Sequence, residues 1–223
     1  MTKFGEVIGY DPQSGVAVIR YTRPEACAKC GACGGKAQET VIRLKTTEAC
    51  RVGNWVKVEL PDGRFLHAAA LAADGVPELR RRIRAGGIVE YDECPTSHIE
   101  LLEDETYCYC TLRHHMPLEE YYPYAEEARR QCRQRASIEE DAEVESLYFI
   151  STLPWLHYSA LIQPVAGGEE SNPRITWGKY EKNAAGRVSL PVTLLAHHAL
   201  VDGIHIARFY QNLAEQLRMV AGV

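Results

Sequence analysis

The run Leu194-Leu195-Ala196-His197-His198-Ala199-Leu200-Val201-Asp202-Gly203 has the pattern of a strand that delivers a turn into an amphipathic helix, expected over Ile204 to Met219. A strand end is a stiff mount. An imidazole held there can take a proton from an alcohol or thiol near neutrality, because its unperturbed pKa lies in that range. The structural alternative is plain: paired histidines at a strand end can be satisfied polar groups, and Asp-Gly is a common turn. A second chemistry-bearing group stands near the other terminus, where Cys27, Cys30 and Cys33 follow a C-x-x-C-x-x-C-Gly spacing between two strand patterns. Three thiolates so spaced can surround zinc or an iron–sulfur cluster, with Cys50 as a distant fourth ligand; redox thiols are the alternative. Cys108 and Cys110 alternate along one strand and read as small buried hydrophobes. Cys94, Cys132 and the pair His114-His115, the latter in a loop before a helix, lack ligand spacing and read as structural or solvent-exposed.

The elements that must position these groups fall into two stretches. Short strands over 5–10, 15–21, 40–44 and 54–60, with turns at Pro12-Gln13-Ser14-Gly15 and Pro61-Asp62-Gly63, make a small β unit. After it the pattern predicts a helix near 65–84, strands near 87–92, 97–103 and 106–112, and a helix near 118–136. Strands near 144–152, 157–164, 173–180 and 187–197 follow, then the final helix. Helices interspersed with long strands indicate an α/β sandwich. The division expected is a β-rich segment over 1–70 and an α/β domain over 71–223.

With 223 residues, 46% of them apolar, the chain can bury a sizeable core in one large domain or two unequal ones. Its net charge of −5 gives no basic footprint for nucleic acid or anionic lipid. Met1-Thr2-Lys3-Phe4 shows no signal-peptide pattern, and the apolar run from Phe65 ends at Ala73-Asp74, short of the ~20 residues of a membrane span. A cytoplasmic protein with reduced thiols is expected, with neither nucleic acid nor membrane as partner.

Three further segments share one resemblance. Phe149-Ile150-Ser151-Thr152-Leu153-Pro154-Trp155, Ile175-Thr176-Trp177-Gly178-Lys179-Tyr180 and the His-His-Ala-Leu-Val-Asp-Gly run resemble the chloramphenicol acetyltransferase family in identity, order and spacing. Val76-Pro77-Glu78-Leu79-Arg80-Arg81-Arg82-Ile83 and Gly87-Ile88-Val89-Glu90-Tyr91-Asp92 extend the likeness over about residues 65–220. The His-x-x-x-Asp-Gly motif alone also occurs in dihydrolipoyl acyltransferases and peptide-synthetase condensation domains; the companion segments narrow it. Residues 1–70 instead resemble the soluble head of RseC-type proteins, through Gly5-Glu6-Val7-Ile8, Ala17-Val18-Ile19-Arg20, the cysteine cluster, Val52-Gly53-Asn54-Trp55-Val56-Lys57-Val58 and the run from Phe65 to Leu71. The chain therefore looks like two truncated pieces joined near residues 65–75.

The first resemblance implies a two-layer sandwich of the CoA-dependent acyltransferase type, without that family's N-terminal strand and helix. It implies acetyl transfer from acetyl-CoA to a hydroxyl of chloramphenicol or a related small alcohol, in a homotrimer whose sites lie between subunits. His198 matches the general base, Ser151 the donor to the oxyanion, and Thr176 a hydroxyl that supports it through water. Trp155 and Lys179 match positions along CoA, against core filling and an exposed charge as the alternatives. Asp202 matches a residue that pairs with an arginine from the missing N-terminal segment, for which Arg20 and Arg23 are the nearby candidates without a motif. The competing functions are a non-catalytic redox or metal-binding protein defined by the RseC-like head, and a pseudoenzyme that binds CoA without turnover.

Overall fold

The computed structural model describes residues 2–21, 40–46, 49–59, 62–140, 142–165, 167–168, 170–182 and 188–221. The chain divides into two compact units, Met1–Pro61 and Asp62–Val223. In the first, β1 (Thr2–Asp11), β2 (Val16–Tyr21), β3 (Thr40–Lys45) and β4 (Trp55–Glu59) form an antiparallel sheet in the order β3-β2-β1-β4. Val7 and Ile19 face each other across β1 and β2 and, with Ala17, make a small buried core on which Tyr10, Cys50 and Val56 pack. The turn joining those strands needs its glycine: Gly15 sits at φ +66°, and a Cβ there would lie 3.0 Å from the Thr46 carbonyl oxygen. Cys27, Cys30, Cys33 and Arg23 lie outside the described residues.

The second unit begins with α1 (Asp62–Asp74), whose alanines at 68, 69, 70, 72 and 73 are all buried. Alanine favours the helix and lets a neighbour approach closely; the neighbour is α3 (Gly203–Ala221), from which Asn212 Nδ2 donates to the Ala72 carbonyl at 3.3 Å. The helix expected to reach residue 84 stops ten residues earlier. Gly75 closes it with an N–H to the Leu71 carbonyl, and Pro77 biases Val76 to extended backbone and starts a single 3₁₀ turn, Pro77–Arg80. The chain then pairs β5 (Arg81–Arg84) with β6 (Gly87–Glu90) as a hairpin.

Arg82 in that hairpin is buried, and its guanidinium donates to the carbonyls of Leu79, Arg81, Glu145, Ser146 and Leu147. It also lies 5.8 Å from the centroid of the Tyr148 ring. Burial lowers its pKa, and the carbonyl fan is what makes a buried guanidinium tolerable.

The main sheet runs β13-β10-β9-β7-β8. Its members are β7 (Thr96–Leu101), β8 (Tyr107–Leu112), β9 (Tyr148–Leu153), β10 (Arg174–Gly178) and β13 (Val192–Leu195). β7, β9 and β10 are mutually parallel, while β8 and β13 are antiparallel at the two edges. One core joins this sheet to the helices, drawing Leu66 and Ala69 from α1, Tyr121, Ala125 and Cys132 from α2 (Leu118–Arg135), and Phe209 and Leu213 from α3. Cys94, Cys108, Cys110 and Cys132 are buried free thiols, the environment expected of small hydrophobes.

Two expected strands differ. Residues 157–164 form irregular chain whose Ile162 is 93% exposed: the turn at Pro154-Trp155 takes the chain out of β9, and Pro164 removes a ladder donor at the far end. The strand expected over 187–197 is broken at Leu190-Pro191 into β12 (Val188–Ser189), paired with β11 (Glu181–Lys182), and β13.

Candidate active site

Ser151 on β9 registers with Thr176 on the parallel strand β10, and Thr176 registers with Thr193 on β13. Since Ile150, Ile175 and Trp177 point into the helix-side core, strand alternation puts Ser151, Thr176 and Thr193 on the opposite face, three hydroxyls in a row. Tyr158 covers that row: its hydroxyl donates to the Thr176 carbonyl at 3.0 Å and accepts from Thr193 Oγ1 at 3.3 Å. The Thr176 hydroxyl is fully buried and has no hydrogen-bond partner among the described residues. A buried hydroxyl left open beside a serine is where an ordered water or a ligand oxygen would be held.

The irregular segment after β9 reaches this row because Gly178 has no side chain. A Cβ there would lie 2.5 Å from the Leu156 carbonyl oxygen, 2.8 Å from the Tyr158 ring and 2.9 Å from Pro191. The close approach is locked by the Lys179 N–H donating to the Leu156 carbonyl at 2.6 Å. Trp155 and Lys179 are consequently neighbours at the carboxyl end of the β9–β10 pair. Both are exposed, Trp155 by 67%, so core filling does not describe this indole.

The two histidines after β13 have different surroundings. His197 spends both ring nitrogens: Nε2 donates to the Gly168 carbonyl at 2.9 Å, and Nδ1 accepts the Ala199 N–H at 3.2 Å. That arrangement defines its tautomer. His198 is exposed, and its Nδ1 is 3.4 Å from the Val201 carbonyl oxygen. A carbonyl can only accept, so this long hydrogen bond puts the proton on Nδ1 and leaves the Nε2 lone pair without a hydrogen bond among the described residues. Asp202 caps α3: its carbonyl receives the N–H groups of His205 and Ile206, and its Oδ1 accepts the Gly203 N–H at 2.7 Å. No arginine pairs with Asp202 among the described residues. Arg20 instead pairs with Glu6 inside the first unit.

Ser151, Thr176, Trp155 and Lys179 thus form one constellation and His198 with Asp202 another. His198 lies five residues beyond Thr193, up to roughly 17 Å of chain at about 3.3 Å per residue. No hydrogen bond joins His198 to Ser151 among the described residues.

A third cluster escapes sequence reasoning. Asp74 Oδ2 receives His114 Nε2 at 2.5 Å and His115 Nε2 at 2.6 Å, while its Oδ1 accepts the Tyr148 hydroxyl at 3.0 Å. Burial alone would raise the Asp74 pKa, but these hydrogen bonds and the nearby His114 imidazole bring it net below the usual carboxylate range. His67 is depressed by burial and holds the His114 and Met116 carbonyls through Nε2 at 3.0 and 3.1 Å. The available signal was the pair of polar interruptions in an apolar helix: His67 and Asp74 stand seven residues apart, on one face, and buried polar groups require partners.

The fold of the second unit is shared with two solved acetyltransferases. Among solved structures, a chloramphenicol acetyltransferase superposes with a TM-score of 0.58 at 23% identity, over 69% of this chain and 76% of that one. The dihydrolipoamide acetyltransferase of Azotobacter vinelandii gives 0.54 at 16% identity, over 73% and 72%.

The family model for chloramphenicol acetyltransferase matches residues 59–214, well over half of the chain, and the chain belongs to that family. Chloramphenicol acetyltransferase 2 of Escherichia coli is 24% identical over 67% of this chain and 71% of its own length, and chloramphenicol acetyltransferase 3 of the same organism 26% over 68% and 72%. A Clostridium perfringens chloramphenicol acetyltransferase is 33% identical over 32% of this chain and 34% of its own. Residues 10–72 match a second family model, described as positive regulator of sigma(E), RseC/MucC.

Proposed function

We propose that this chain transfers the acetyl group of acetyl-CoA to a hydroxyl of chloramphenicol or a related small alcohol. His198 Nε2 takes the hydroxyl proton as the alcohol oxygen bonds to the thioester carbon. Ser151 donates to the oxygen of the tetrahedral adduct, and a water on the open Thr176 hydroxyl adds a second donor. The C–S bond then breaks, and the CoA sulfur leaves with the proton returned from His198. Trp155 and Lys179 lie along CoA, and Asp202 holds the turn that carries the base. The second unit, from Asp62 on, acts as a two-layer sandwich that lacks the family's leading strand and helix, and the β-rich segment ending at Pro61 precedes it in the chain, so the boundary falls before α1 rather than at residues 70–71.

The observation that carries this reading is the contrast within one histidine pair: both His197 ring nitrogens are hydrogen-bonded, whereas the exposed His198 has only its Nδ1 hydrogen-bonded among the described residues. No hydrogen bond joins His198 to Ser151 among the described residues, and the site is completed between subunits of a homotrimer, the arrangement the family resemblance implies. Release of CoA thiol from acetyl-CoA on addition of chloramphenicol, followed on the full chain together with light scattering, tests both statements. No thiol release by a folded trimer would remove the catalytic reading. A CoA-binding pseudoenzyme is the second reading, favoured by one observation: the Asp202 carboxylate is engaged by Gly203 rather than by an arginine among the described residues.

A further inference from the structure

We infer that Asp74, His114 and His115 form a binding site for a divalent first-row transition metal, zinc above all, independent of the acyl-transfer reading. The three ligand atoms, Asp74 Oδ2 and the two Nε2 atoms, all lie within 4.8 Å of one another. One carboxylate with two imidazoles is a donor set that suits zinc, copper, iron or nickel rather than magnesium or calcium, which prefer oxygen. The set supplies three protein ligands, and the half-exposed His115 leaves a side open for water in the fourth position.

The surroundings are those a metal site needs. Tyr148 fixes Oδ1 by hydrogen bond, so the carboxylate turns Oδ2 toward the histidines, in the manner of an outer-shell partner orienting a ligand. His67 pins the carbonyls of His114 and Met116, which sets the loop from which both imidazoles project. His114 is fully buried and its Nδ1 has no partner among the described residues. Without metal the acceptor-only Asp74 carboxylate holds the proton on Nε2, so a metal must replace that hydrogen bond and displace the proton to Nδ1 or to solvent. With metal–ligand bonds of about 2.0–2.2 Å, tetrahedral neighbours stand roughly 3.3 Å apart. Oδ2 must therefore draw back by somewhat under ~1 Å from each nitrogen, a change within reach of the Asp74 and His115 side-chain torsions.

A bound metal would tie the carboxyl end of α1 to the loop between β8 and α2, forty residues on in the chain. It replaces two hydrogen bonds to one oxygen with three coordinate bonds, and its binding free energy adds to the stability of this unit.

The test uses the full chain carrying Cys27→Ser, Cys30→Ser and Cys33→Ser, so that the thiols contribute nothing. After chelator treatment, zinc binding is measured by competition with a chromophoric chelator, beside the zinc dependence of thermal unfolding. The expected result is one zinc per chain and a midpoint raised by several degrees. His115→Ala and the near-isosteric Asp74→Asn should each weaken binding on the order of 100-fold or more, since even outer-shell partners cost about 10–100-fold. If the triple variant does not fold, cobalt(II) added to the parent chain replaces that measurement: a d–d band lost in His115→Ala, without requiring thiolate charge transfer, supports the site. A folded protein that takes up no zinc overturns the inference, as does binding unchanged in both ligand variants.

Discussion

Two pairs of adjacent histidines sit in this unit, and the same dipeptide is used in opposite ways. At 197-198 the turn after β13 separates the rings: His197 is consumed in holding Gly168 and Ala199, and His198 is left with its Nε2 unbonded among the described residues. At 114-115 the loop after β8 brings both rings onto one carboxylate oxygen of Asp74. An imidazole with one nitrogen bonded and the other exposed is suited to moving a proton; two imidazoles converging on a carboxylate are suited to holding a cation. The histidine count is the same. What differs is whether the backbone splays the two rings or converges them.

The sharpest way to break this contrast is His198→Ala. It should lower the acetyl-transfer rate by ~10²–10⁴-fold, the range for a positioned general base, and leave zinc binding at the other pair untouched. A folded variant that acetylates at the parent rate would end the role assigned to His198. Next in size is Ser151→Ala, expected to cost ~10²–10³-fold through the lost oxyanion donor; steady-state kinetics should place the loss in kcat, with circular dichroism unchanged.

A third use of histidine sharpens the comparison further. His98, on β7, donates through Nε2 to Glu100, which Arg129 and Arg133 also hold. Burial pushes the Glu100 carboxyl up, but the His98 and Arg129 hydrogen bonds and charges outweigh it and bring the pKa from 4.5 to about 2. A carboxylate depressed in the folded state contributes stability above its unfolded pKa and loses it as pH falls toward the folded value. Glu100→Gln should therefore be less stable than the parent at neutral pH, on the order of 3 kcal/mol. The gap should close between about pH 4.5 and about pH 2. Urea titrations of both proteins across that window check it, and a gap that persists at low pH would assign the loss to packing rather than charge.

The smallest effect belongs to His197→Ala. It removes the ring's bonds to Gly168 and Ala199, which place the turn without touching the transferred proton, so activity should fall by less than in Ser151→Ala. A loss equal to that of His198→Ala would mean that the two rings had been assigned in the wrong order.

Local physics made much of this protein legible in the sequence. Period-two apolar patterns placed β1 to β4 within a residue or a few, and the amphipathic run after Asp202 became α3. The motif segments around Ser151, Thr176 and His198 carried the family. Their roles came with that resemblance rather than from spacing, and the geometry adds the reason for one of its glycines: only Gly178 admits the 156–158 segment against β10. Other features needed the fold because their causes are non-local. The chain over 157–164 has strand-like composition, yet the turn at Pro154-Trp155, Pro164 and its bonds to the end of β10 keep it out of the sheet. α1 ended at Asp74 because Gly75 and Pro77 outweighed the continuing helical pattern.

The Asp74–His114–His115 cluster shows the boundary between the two sources of information. Residue types and order are enough to say that an imidazole near a strand end can accept a proton, since that is a property of the ring and its immediate turn. Which histidine keeps a free nitrogen, and which pair converges on a carboxylate forty residues away, depends on how α1 packs beside β8 and β9. Tertiary structure decided that, because hydrogen bonds and coordinate bonds act over about 2–3 Å, and only the packed chain brings such distant residues within that range.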